Sequence, residues 1–331
     1  MDREQEEIQF LGFFGILKES YNIVSSWTKI FTHITLSMIL PLSLIYLAHI
    51  QISELLFTNI MHNEWVLDRT PVGSRSYNKV SDVLTSEWSA FFLFKIAYFV
   101  FFIILALLST SAVVYTIACI YTAKEITLAK VMSVVPKVWK RLMVTFIWNF
   151  IIVFAYNIVS LLVFIVGVIL FGAIPALVIA FVVVFTVLYL AGFLYVTMIW
   201  HLATVVSVLE DSYGLNAMAK SQDLIKGKMG ISVALFIVLL LCFFAIQTTF
   251  EFLVVFGHGT GTRIGVGILC LILMSISMLF GLIIQTIVYF VCKSYHHENI
   301  DKSSLADHLG GYLGEYVPLK SKDVQLEQFE V

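Results

Sequence analysis

Polar and apolar positions are unevenly distributed along this chain: long apolar runs alternate with short segments that hold most of the charge. A helix needs about 20 mostly apolar residues to cross the hydrocarbon of a bilayer. Six stretches meet that need, at about 30–50, 88–121, 142–171, 177–209, 231–256 and 264–292. The runs are continuous and do not alternate, which excludes a porin-like barrel. Spans three and four are divided only by Gly172, Ala173, Ile174 and Pro175, a glycine–proline break that predicts a tight helical hairpin. A helix of about 30 residues is about 45 Å long, so several spans are expected to tilt or to project beyond the hydrocarbon.

The segments between spans carry a second pattern. Residues 126–141, before span three, place Val131, Val134 and Val138 at helical spacing, continued by Leu142. Residues 214–228, before span five, do the same with Leu215, Met218 and Ile225, continued by Met229. Ala129, Ser133 and Lys140 match Ala217, Ser221 and Lys228, and a looser copy at 10–27 precedes span one. Basic amphipathic helices of this kind lie in the headgroup plane with the apolar face down. The expected fold class is therefore an all-α polytopic membrane protein with six transmembrane helices. Its unit is an amphipathic cytoplasmic elbow helix followed by a two-span hairpin, used as a pseudo-repeat around a common centre. The expected organisation is an N-terminal segment with its elbow over 1–29, the six-helix transmembrane domain over 30–292, and a tail over 293–331.

Composition sharpens this reading. The chain is 60% apolar and only 13% charged, whereas soluble domains run near 45–50% and about 25%. Lipid is the solvent for most of it. A net charge of −2 without a basic stripe excludes a nucleic-acid partner, and five prolines with no low-complexity tract exclude a large disordered region. Cys119, Cys242, Cys270 and Cys292 all lie inside apolar runs, which points to small hydrophobes and away from a disulfide framework or a zinc site. The acidic start, Met1 to Glu7, lacks the basic region and cleavage site of a signal peptide, so targeting is assigned to the first span.

Fifteen of the lysines and arginines fall on the side holding both termini and the segments after spans two and four. Four lie on the other side, Arg69, Arg75, Lys79 and Arg263, while Lys95 lies within span two. The positive-inside rule then places both termini in the cytoplasm. The expected location is an integral membrane of the secretory pathway, plasma membrane or endoplasmic reticulum.

Four elements carry a resemblance: Glu6, Glu7, Ile8, Gln9, Phe10 and Leu11; the run 34–49 around Pro41; Tyr213, Gly214, Leu215, Asn216 and Ala217; and the tail segment 308–320. Together they resemble a plant family of six-span transmembrane proteins that mostly carry no functional assignment. More distantly, the elbow-plus-hairpin pattern is similar to the membrane domain attached to some bacterial glycerophosphodiester phosphodiesterases. The catalytic domain of those enzymes has no counterpart here, so the resemblance implies a fold and no activity.

Ionisable groups inside a bilayer are costly and are functional suspects. Lys95 in span two and Glu251 in span five sit near the same end of their spans, so they are candidates for an ion pair at a cavity mouth. The alternative is that each snorkels independently to the interface. The uncharged polar candidates are Asn149 and Asn157 in span three, His201 in span four, Gln247 in span five and Gln285 in span six. They serve either as interhelical hydrogen-bonding glue or as the lining of a solute path, and His201 beside Trp200 also fits an aromatic belt. Ser277 and Gly281 form a small-xxx-small pair in span six. Residues 257–261 lack the Gly-Lys-Ser/Thr ending of a phosphate loop and read as a turn. His296, His297 and Glu298 read as a solvated span end, because adjacent helical histidines diverge by about 100°. In the tail, Tyr316 and Leu319 fit a Tyr-x-x-Φ sorting signal, with a bare peptide turn as the alternative. The stretch 51–87 reads as a long exposed loop without a glycosylation sequon.

No Ser-His-Asp, HExxH or paired-carboxylate set occurs at credible spacing, so neither an enzyme nor a cofactor or metal is expected. Two function classes stand. One is a non-enzymatic protein that organises or senses membrane lipid or partner proteins, its basic elbows attracting anionic lipid headgroups. The other is an oligomeric channel or transporter lined by Asn157, Gln247 and Gln285, with Pro41 and Pro175 as hinges.

Overall fold

The computed structural model describes residues 8–122, 126–172, 174–257 and 259–296. The described residues are almost wholly helical, with no strand among them, and six helices are long and apolar enough to cross a membrane. In chain order, α1 is Phe13–Ser26 and α2 is Thr28–Ile34. A π-helical turn at Thr35–Ile39 carries α2 into α3, Leu40–Asp68. Then come α4 (Arg75–Tyr121), α5 (Leu128–Phe171), α6 (Pro175–Leu209) and α7 (Leu215–Leu224). Helix α8 (Met229–Phe250) ends in a second π-helical turn at Glu251–Val255, and α9 is Thr260–Tyr295.

Local chemistry explains several boundaries. Pro175 sits in the first turn of α6, where a missing N–H is no loss, whereas Pro41 lies inside a continuous helix directly after the π-helical turn. Thr127 caps α5 by accepting from the Lys130 amide. Gly214, at φ +63°, starts α7, and a Cβ there would also press on the Trp148 ring at 3.1 Å.

Two features differ from the sequence reading. The expected loop at 51–87 is mostly helix: α3 runs on to Asp68, residues 69–74 make the turn, and α4 begins at Arg75. At 47 residues, α4 is about 70 Å long, far beyond the hydrocarbon thickness. The hairpin is tied by Asn63, whose Nδ2 donates to both Glu87 carboxylate oxygens (2.9 and 2.8 Å), and by Trp88 donating to Glu64. Arg69 stacks 3.5 Å from the Trp65 ring, and Ile60 is fully buried. Second, the amphipathic segment before span three is not a separate elbow. It runs into that span as one helix, α5, with Pro136 inside it.

The chain divides into two compact units. The first holds α1, the last part of α4, all of α5, α6 and α7, the start of α8 and the last part of α9. Its core includes Ile16, Ile23, Ile117, Leu142, Leu224, Ile225, Tyr289 and Phe290. Buried Ser20, Thr116, Ser207 and Ser221 each donate to the carbonyl four residues back. Small residues of this kind let helix backbones approach closely in lipid. Farther along α5 and α6 the faces are open, with Leu161, Ile169, Ile179 and Leu188 all exposed. There the two helices hold each other through stacked Tyr156 and Tyr189 and through Phe181 seated over Gly167.

The second unit spans Ser26–Thr110 and Leu235–Leu282. Leu47, Phe250, Cys270 and Met274 form a cluster in it, flanked by Tyr46, Ile50, Phe243 and Ile246. Gly281 faces Leu239 of α8, as a small-residue packing position should.

Candidate functional site

The second unit holds both charged candidates, Lys95 and Glu251. Tyr46, His49 and Ser53 recur at helical spacing on α3 and so share a face. Lys95 of α4 donates from Nζ to His49 Nε2 (2.8 Å) and to Ser53 Oγ (2.8 Å). The His49 ring stacks on Tyr98 with centroids 3.7 Å apart and lies parallel to Phe94 at 5.9 Å. Phe91 sits 5.0 Å from the ammonium. A charged lysine can only donate, so His49 accepts at Nε2 and carries its proton on Nδ1. Tyr98 packs on Phe102, which packs on Tyr46. Tyr46 donates to Gln247 Oε1 (2.7 Å), and Gln247 Nε2 donates to Glu251 Oε1 (2.9 Å).

In place of the candidate Lys95–Glu251 ion pair there are two separate attachments. Lys95 is held by α3 and Glu251 by its own helix, and among the described residues neither lies within 4 Å of an opposite charge. All these groups are half-buried. The arrangement presents a cation and a carboxylate, each steadied by neutral partners and joined through an aromatic relay.

The first unit treats charge differently. Glu210, directly after α6, has a side chain only 13% exposed. Its Oε2 meets Lys220 of α7 at 2.6 Å, and its Oε1 accepts from Lys293 (2.7 Å) and Tyr289 (2.5 Å) of α9. Burial pushes the Glu210 carboxyl up, but hydrogen bonds from Lys220, Lys293 and Tyr289 outweigh it and hold the group below the usual carboxylate range. Next to it, Asp211 pairs with Arg141 of α5 (3.1 Å). The Gly214 amide donates to Thr145 Oγ1 (2.8 Å), which shares a 2.7 Å hydrogen bond with Ser207. The connection 210–214 thus fastens α7 to α5 and α9.

The sequence pattern of one family, described as Domain of unknown function (DUF8558), matches residues 1–329. The chain belongs to this family. No curated protein and no solved structure matches it.

In this DUF8558 member the remaining polar candidates separate. His201 and Gln285 come together: His201 Nδ1 lies 2.9 Å from Gln285 Oε1, and Gln285 Nε2 donates to the His201 carbonyl (2.8 Å) and to Thr204 Oγ1 (2.6 Å). This knot joins α6 to α9. Asn157 is exposed in the second half of α5, donates to the Val153 carbonyl and accepts from the Tyr189 hydroxyl (2.9 Å). Asn149 is buried on α5, and its Oδ1 accepts nothing among the described residues. His296 packs its Nε2 against the Leu224 and Lys226 carbonyls at the end of α7. The Tyr316/Leu319 signal lies outside the described residues, as do His258, His297 and Glu298.

The amphipathic repeat is also re-registered. Val131, Val134 and Val138 are buried, and so are Met218, Ser221 and Ile225, one residue out of step with the matched identities. Ala129 and Ser133 are exposed while Ala217 and Ser221 are buried, and Leu215 is 47% exposed.

Sequence reasoning missed Tyr46, His49, Ser53, Tyr98 and Glu210. The first three form one polar stripe on span one. The spacings of Lys95 to Tyr98 and of Gln247 to Glu251 are helical in the same way, and that signal could have found the cluster.

Proposed function

We propose that this protein is a non-enzymatic integral membrane protein that organises or senses membrane lipid. The observation that carries the reading is α1. One face packs into the protein through Ile16, Ser20 and Ile23, which are buried. The opposite face exposes Phe14 (81%), Lys18 and Tyr21 (65%), with Phe10 exposed in the turn before it and Trp27 after it. A helix with aromatic rings and a lysine outside an already packed apolar face, leading directly into the first span, suits the interface of a bilayer. Acyl packing around those rings is the property it would sense. The lysines contribute less to headgroup attraction than their number suggests, because Lys220, Lys226 and Lys293 are paired with Glu210 and Asp223. The balance of lysine and arginine supports a cytoplasmic position for α1 and both termini. The likeness to plant six-span membrane proteins, and distantly to the membrane domain of bacterial glycerophosphodiester phosphodiesterases, supports the reading as a likeness of membrane segments only.

The test uses giant vesicles with coexisting tightly and loosely packed lipid phases. The wild-type protein should favour the loosely packed phase more strongly than a Phe10→Ser/Phe14→Ser/Tyr21→Ser variant of equal helicity. Equal sorting of the two proteins would sink the reading. A second reading, an oligomeric channel or transporter, is favoured by the polar cluster of the second unit. Flux in proteoliposomes above that of empty vesicles, lost in Gln247→Leu, would establish it instead.

A further inference from the structure

We infer that Lys95, His49 and Ser53 form a binding site for an oxyanion of the phosphate class at the edge of the hydrocarbon, either a phospholipid headgroup phosphate or free phosphate. The inference stands apart from the reading of α1, since its residues belong to the other unit. Four observations converge on it. First, the ammonium is held in place: its bonds to His49 and Ser53, both 2.8 Å, fix it against α3. A snorkelling lysine would extend to water and leave such acceptors unused. Second, both acceptors are neutral, so the positive charge is positioned without being cancelled, and among the described residues no carboxylate lies within salt-bridge distance of it. Third, two of the three N–H groups are used, which leaves one for a ligand. Fourth, the lysine sits beside Phe91, and the ring stack of His49 with Tyr98 holds the acceptor nitrogen in orientation.

An uncancelled cation in a partly apolar setting favours an anion over a neutral solute. Oxyanions bind ammonium through short charge-assisted hydrogen bonds. Ser53 accepts from Lys95, so its hydroxyl hydrogen is left for donation. A tetrahedral oxyanion can then accept from the third Lys95 N–H and from the Ser53 hydroxyl together. No bond is made or broken; the site binds.

The full-length protein, purified in a maltoside detergent that contains no phosphate, is titrated with inorganic phosphate in one arm and with phosphatidylglycerol in the other. The thermal unfolding midpoint is followed in both. If the ligand is free phosphate, the first arm raises the midpoint; if it is a headgroup phosphate, only the second does. In the responding arm, Lys95→Met should bind about tenfold more weakly or worse. Lys95→Arg, which keeps the charge, should restore the response, and Lys79→Met, the same charge change near the start of α4, should leave it intact. A response in neither arm overturns the inference. So does a response that Lys95→Met retains, or that Lys79→Met loses equally.

Discussion

The lysines of the two units show two ways of keeping a cation near a membrane. Lys220 and Lys293 in the first unit converge on one carboxylate, Glu210, so their charge is spent on joining α7, α9 and the end of α6. Lys95 in the second unit is held as firmly, but by an imidazole and a hydroxyl that leave its charge intact. Geometry alone does not separate these cases, since the donor–acceptor distances are alike. The formal charge of the acceptors does. A cancelled charge is a structural tie, and a positioned but uncancelled one retains a field for a ligand.

That contrast can be broken by substitution, and the effects should fall in a definite order. The largest belongs to Glu210→Gln, which strands two lysines beside a poor acceptor and should cost about 3 kcal/mol of stability, measured by thermal or denaturant unfolding in detergent. The pH dependence of the wild type should report the same group. Its folded pKa lies below the unfolded value, so the stabilisation is full above the usual carboxylate range and is lost as pH falls through the lowered pKa. Glu210→Gln should flatten that acid limb, and an unchanged limb would mean that other carboxylates cause it. Next comes Gln285→Leu, which removes three short hydrogen bonds between α6 and α9. It should cost about 1–2 kcal/mol and leave any flux unaltered, because the bonds are mutual and closed. A smaller effect on stability is expected from Lys95→Met, under about 1 kcal/mol, since two hydrogen bonds are exchanged for an apolar contact and the loss of an unpaired charge. A large loss there would move Lys95 into the same structural class as Lys293.

The open outer parts of α5 and α6 add a further contrast with the base of the same helices. Near the base, Leu142, Thr145, Ala203 and Ser207 are fully buried, whereas Leu161 and Leu188 farther along are 58% and 66% exposed. Asn157 sits in the open part and spends its amide on Val153 and Tyr189, within the hairpin itself. Asn157→Leu should therefore shift stability by no more than about 0.6 kcal/mol.

The spans were legible because the cost of placing polar groups in hydrocarbon forces long apolar runs, and such runs are visible residue by residue. Residues 51–87 were misjudged for the same reason. Hydropathy records which solvent surrounds a segment and says little about its backbone, so a helical hairpin with Glu54, Asn63, Glu64 and Glu87 on its surface reads like a loop. Lys95 and Glu251 were recognised as unusual, but their partners were not. A partner depends on the rotation of each helix about its axis, and a weakly amphipathic span leaves that rotation unspecified by its own pattern. Glu210 escaped notice because a glutamate in a short polar connection is ordinary until three donors close on it.

Composition and pattern by themselves determined that this is a six-span helical membrane protein, that its charge is concentrated between the spans, and that certain intramembrane polar residues are out of place in lipid. These properties follow from transfer energies, which act on each segment separately. Only the tertiary structure decided which polar groups meet: Lys95 with His49 and Ser53, His201 with Gln285, Glu210 with Lys220 and Lys293. Hydrogen bonds and ion pairs act over a few ångströms, so their pairing is settled by packing between helices far apart in sequence.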